Sequence, residues 1–155
     1  MNPADRPIKV SFSFYPSDMQ ALNERMVALR RAGVPVRGGT VLRALIYLTP
    51  PMEMFAHAVL LARAYEEKDG PREDDNIAGH PTVDLPKDQV KKLDDVVTEL
   101  AAKNITANRA FVVRATLRAA RDGKALAPAV GRFLADFPAK PRGWAALKAK
   151  QHGQR

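Results

Sequence analysis

Histidine is the side chain best suited to proton exchange near neutral pH and a common metal ligand, and this sequence has three, His57, His80 and His152. Their separations provide neither a metal-ligand spacing nor a nucleophile beside a base. The chain contains no cysteine, so disulfide frameworks, zinc-thiolate sites and thiol nucleophiles are excluded together. The acids Glu66, Glu67, Asp69, Glu73, Asp74 and Asp75 lie close in sequence without the spacing of a calcium loop, and they read as a solvated charge run. Gly38-Gly39 lacks the Gly-Lys-Ser/Thr that completes a phosphate loop. These residue types point to a protein that is not an enzyme and uses no cofactor or metal.

What the chain does have is positive charge. Its 155 residues carry 25 Lys+Arg against 17 Asp+Glu, a formal charge of +8 and a pI of about 10.0. The balance is +2 over residues 1–69, −2 over 70–79 and +8 over 80–155. Residues 137–155 hold Lys140, Arg142, Lys148, Lys150 and Arg155 with no acid. Such a segment suits an arm that follows a polyanion, or a solvated tail that keeps the protein soluble. Hydrophobic residues at 46% and charged residues at 27% describe a chain able to bury a core. No apolar run approaches the ~18 residues a membrane span needs, and residues 1–16 do not have the pattern of a secretory leader. A cytoplasmic protein without membrane contact is the expectation.

The elements that must position any polar site repeat. Placing Phe14 on Leu85 aligns the apolar positions without a gap: Phe12 with Val83, Met19 with Val90, Leu22 with Leu93, Met26 with Val97, Leu29 with Leu100, Val34 with Ile105, Val41 with Val112, Leu42 with Val113 and Ile46 with Leu117. Arg43 and Ala44 meet the identical Arg114 and Ala115. Each copy reads as strand, helix, helix. Residues 9–14 alternate polar and apolar with period two, which predicts a strand burying Val10, Phe12 and Phe14. Pro16, Ser17 and Asp18 open a helix whose stripe is Met19, Leu22, Met26 and Leu29. Gly33 ends it, and the aligned residue is Asn104, the other residue that readily takes a left-handed conformation.

The second helix is expected from about residue 37 to 48 in the first copy. In the second it should run from an Asn108 N-cap to about residue 121, where Asp122-Gly123 stops it. The strand at residues 80–85 contains Pro81, which removes one ladder donor, so it must lie at an edge or begin late. Between the copies, residues 51–68 predict a third helix with Met54, Ala58, Leu61 and Tyr65 on one face, followed by an acidic linker over 69–79. Residues 127–137 look like a short echo of that helix, and the segment beyond frays around Trp144. The chain thus divides into 8–49, 50–79, 80–122 and 123–155.

One strand and two short helices cannot enclose a core, so each copy needs a matching strand, and the other copy is the nearest source. Two strand-helix-helix units joined through an antiparallel ribbon resemble the ribbon-helix-helix family of DNA-binding proteins, over residues 8–49 and 79–122. The resemblance implies a mainly α fold with one two-stranded antiparallel β-ribbon, a pseudo-dimer within a single chain. It also implies sequence-specific binding of double-stranded DNA in the major groove, as a transcriptional repressor or a plasmid maintenance or transfer factor. Lys9, Ser11 and Ser13 from one strand and His80, Thr82 and Asp84 from the other would face the bases, each strand reading its own half-site. In the family, backbone N–H groups opening the second helix grip a phosphate. The matching positions are Arg37, Gly38, Gly39 and Thr40, then Asn108, Arg109 and Ala110, and Arg37 stands where a small capping residue is usual. The other expectations are further self-association on DNA and, as the competing reading, an antitoxin-like module whose third helix and tail bind a partner protein.

Overall fold

The computed structural model describes residues 6–67 and 76–138. In chain order these form β1 (Ile8–Ser11), α1 (Pro16–Arg31), α2 (Gly38–Leu48), α3 (Pro51–Glu67), β2 (Thr82–Leu85), α4 (Lys87–Ala102), α5 (Arg109–Ala119) and α6 (Gly123–Asp136). The protein is mainly helical with one two-stranded antiparallel sheet. Most of the acidic linker, and the basic tail with Trp144, lie outside the described residues.

The strands pair Ile8 with Leu85, Lys9 with Asp84, Val10 with Val83 and Ser11 with Thr82. Period-two alternation sends Val10, Phe12, Phe14, Val83 and Leu85 to the helical side, where all are buried. Regular β1 stops at Ser11, short of the expected Phe14, although the ladder goes on: Phe12 N–H donates to the Pro81 carbonyl at 3.0 Å and Phe14 N–H to the Gly79 carbonyl at 2.9 Å. Pro81 has no N–H to return. The second strand accordingly begins at Thr82, the late start within residues 80–85 that Pro81 predicts.

Both first helices end in the same way. Gly33 has φ of 88° and Asn104 φ of 62°. Val34 N–H donates to the Leu29 carbonyl and Gly33 N–H to that of Arg30; Ile105 and Asn104 repeat this on Leu100 and Ala101. Each is a Schellman cap, with buried Leu29 under Val34 in one and buried Leu100 under Ile105 in the other. A Cβ at Gly33 would touch nothing within 4 Å, so Gly33→Ala introduces backbone strain alone. It is expected to destabilise by about 1–2 kcal/mol, measurable by urea unfolding.

The third helices exchange sides. α3, from the first half, packs on α4 and α5, while α6, from the second half, packs on α1 and α2. The sequence reading of α6 needs correction: it begins at Gly123, not at residue 127, and α5 ends at Ala119 rather than near Arg121. Asp122 is not a stop signal but the N-cap of α6, its Oδ1 accepting from Ala125 N–H at 2.9 Å. Gly123 lies tight against α1, since a Cβ there would lie 2.5 Å from that of Ala28.

Polar groups tie the halves together across the core. Asp18 is fully buried at the third position of α1. It accepts from Tyr15 N–H at 2.9 Å, Arg114 Nε at 2.6 Å and Arg118 Nε at 2.7 Å. Arg114 also donates to the Tyr65 hydroxyl of α3 and lies over the Tyr15 ring, 4.6 Å from its centroid. The free carbonyls ending α2 accept from Lys92 of α4, at Ile46 and at Thr49, and the Ala120 carbonyl after α5 accepts from Arg25 of α1. Cations there complement the negative end of a helix. Burial lowers the Lys92 pKa below its usual range, and nearby Asp88 opposes that shift.

Candidate nucleic-acid interface

The buried face of the ribbon fixes the other. With Val10, Phe12, Val83 and Leu85 held inside, Lys9, Ser11, His80, Thr82 and Asp84 are exposed and Ser13 is half-buried. The fold therefore gathers onto one surface all the residues expected to face bases. Ser11 Oγ and Thr82 Oγ1 are 2.8 Å apart at the centre of this surface, joining positions 71 residues apart in sequence, the offset of the repeat itself. Ser13 Oγ lies 3.4 Å from His80 Nδ1.

The register corrects one expectation. Each strand does not serve its own end: antiparallel pairing sets Lys9 of β1 opposite Asp84 of β2, and Ser13 beside His80. Either end of the surface thus presents residues of both strands.

The second-helix starts differ from each other. Gly38-Gly39 forms the first turn of α2 and not a loop. Arg37 is its N-cap residue, and no side chain caps the helix. Thr40 is buried, so only its backbone is suited to contact from outside. Gly39 faces β2, where a Cβ would lie 3.4 Å from the Thr82 carbonyl, so the helix start lies close against the ribbon. At α5, Asn108 Oδ1 accepts from Phe111 N–H at 2.8 Å, and Ala110 is half-buried.

The Arg109 guanidinium is already engaged. Its Nε and Nη2 reach Asp94 Oδ1 and Oδ2 of α4 at 2.6 and 2.8 Å, a bidentate pair. These hydrogen bonds hold the Asp94 carboxyl below its ordinary pKa and raise that of Arg109, with burial opposing both. Sequence reasoning passed over Asp94, because two residues on successive helices carry no periodic mark of their contact. The helix-opening position of Asp18 likewise gives no sign in sequence of its burial beside Arg114 and Arg118.

Among the described residues no group of three or more His, Cys, Asp or Glu side chains could hold a metal ion. Among the described residues no single helix is long and apolar enough to cross a membrane; α2 and α3 reach the length only together, with a bend of 111°. Comparison with protein-family models, curated proteins and solved structures gives no match.

Proposed function

We propose that this chain is a single-chain, pseudo-dimeric ribbon-helix-helix protein that binds double-stranded DNA by laying β1 and β2 in the major groove. It acts without catalysis, as a transcriptional repressor or an accessory factor in plasmid maintenance or transfer. The observation that carries this reading is the central pair Ser11 and Thr82. The strands meet at positions equivalent in the two copies, as two identical subunits would about a two-fold axis. The exchanged third helices and the paired Schellman caps support the same symmetry.

A two-stranded ribbon fits the width of the major groove, and hydroxyl, ammonium, imidazole and carboxylate groups on it are suited to base edges. Arg37 and the backbone N–H groups opening α2, which packs beside β2, and those opening α5 are the groups that would supply phosphate contacts. Selection of bound fragments from a random duplex pool, with footprinting of the winners, tests the reading. Recovery of no preferred sequence and no salt-sensitive retention would refute it.

Arg109 provides a sharper expectation. Asp94→Ala frees its guanidinium beside the α5 start. Affinity at low salt should then rise, and the log-log salt slope should steepen by about 0.9 for one added phosphate contact. Fluorescence anisotropy titrations across a salt series measure both.

A second reading, a partner-protein module, is favoured by α3, where Met52 is 85% and Leu60 63% exposed. Co-purification of a small partner protein, lost in Met52→Glu/Leu60→Glu while DNA retention is absent throughout, would select it.

A further inference from the structure

Resting on the DNA-binding reading above, we infer that the ribbon is a polar reading head. Its Lys9/Asp84 end specifies an oriented G·C base pair, its Ser13/His80 end discriminates less, and the protein therefore seats on its site in one direction only.

The register carries the argument. Lys9 and Asp84 are direct cross-strand partners, both exposed. They fall at a non-hydrogen-bonded position of the ladder, since the hydrogen bonds run through Phe12 and Phe14, and at such positions facing side chains stand closest. One is a donor only, the other while ionised an acceptor only. In the major groove guanine offers N7 and O6 as acceptors, and its partner cytosine offers the N4 amino group as a donor. A lysine beside a carboxylate is complementary to that pair in one orientation. Reversing the pair sets the ammonium against the amino group and the carboxylate against the acceptors.

The centre carries no charge with which to impose direction. Ser11 Oγ and Thr82 Oγ1 are hydrogen-bonded to each other at 2.8 Å, either able to donate, and Thr82 Oγ1 also reaches the His80 carbonyl at 3.3 Å. A hydroxyl can donate or accept, so this pair discriminates less than an ammonium beside a carboxylate.

The far end is permissive. With Nδ1 of His80 beside the Ser13 hydroxyl, Nε2 is left to meet a base. A neutral imidazole presents either a donor or an acceptor there, according to its tautomer, and so accommodates guanine or adenine. A repeat that has kept its apolar positions has thus diverged on the face where two identical subunits would have to agree.

The chain contains no cysteine, so one introduced thiol is a unique attachment point for a DNA-cleaving chelate. Lys87→Cys and Ala78→Cys place it at exposed positions flanking opposite ends of β2. Random-duplex selection is run on the full-length chain and on Asp84→Asn, followed by cleavage of the selected duplex by each conjugate.

The expected result is an asymmetric site with G·C at one end. Asp84→Asn should lose preference at that end alone, by on the order of 10- to 100-fold. The Lys87→Cys conjugate should cut beyond the G·C end and the Ala78→Cys conjugate beyond the other. A preferred but symmetric site, or cuts on both sides from each conjugate, would overturn the inference while leaving DNA binding intact. Failure of every protein to retain duplex would remove the DNA-binding reading and this inference with it.

Discussion

Asp18→Ala is expected to destabilise the protein by about 3–5 kcal/mol, the cost of breaking a buried ion pair from one side. Asp18 is fully buried, the Arg114 side chain is 6% exposed, and Arg118 completes the cluster. Removing the carboxylate takes the counter-charge from two guanidinium groups, which keep neutral partners such as the Tyr65 and Ser17 hydroxyls, and leaves Tyr15 N–H without its acceptor. At roughly 2–4 °C per kcal/mol for a chain of this size, the thermal midpoint should fall by about 6–20 °C. Asp94→Ala removes a bidentate pair of comparable geometry whose side chains are 41% and 47% exposed. In that case water replaces much of the lost interaction, and the cost should stay within about 1 kcal/mol. Calorimetry on the two variants separates burial from geometry; equal shifts would contradict the assigned role of Asp18.

Thr82→Asp should weaken DNA binding by on the order of 100-fold while costing no more than about 1–2 kcal/mol of stability. Thr82 is exposed, so the change does not touch the core. It places a carboxylate at the centre of the ribbon, two residues from Asp84 and between the phosphate walls of the groove, where like charges repel. Ser11→Asp, the equivalent change on β1, should behave alike. Anisotropy titrations with a selected duplex, beside urea unfolding of the same samples, provide both measurements. Equal binding by the parent and both variants would remove the ribbon from the interface.

Most of the helical framework was legible because its signals are local. The stripe from Met19 to Leu29, Pro16 at the first turn, and Gly33 and Asn104 at the ends each act within a few residues. The polar face of the ribbon was legible for the same reason, since alternation alone separates Lys9, Ser11 and Ser13 from Val10, Phe12 and Phe14.

Three features were not legible, and all depend on which elements meet. Asp122 reads equally as the end of α5 or the cap of α6. The exchange of α3 and α6 depends on close approach, as at Gly123 against Ala28, which a hydrophobic stripe does not encode. The contacts from Asp18 to Arg114 and from Arg109 to Asp94 join residues whose spacing has no period. Alternation fixes which face a residue takes and not its partner across the ladder, so the pairing of Lys9 with Asp84 is seen only in the register.

The central claim is that the ribbon enters the major groove, and chemical probing of guanine N7 tests it most directly. N7 lies in the major groove and adenine N3 in the minor, and dimethyl sulfate methylates both. On a selected duplex the parent protein is expected to protect guanine N7 within the site, to leave adenine N3 reactive, and to lose the protection with Thr82→Asp. Protection confined to adenine N3, or N7 protection unchanged by Thr82→Asp, would contradict it.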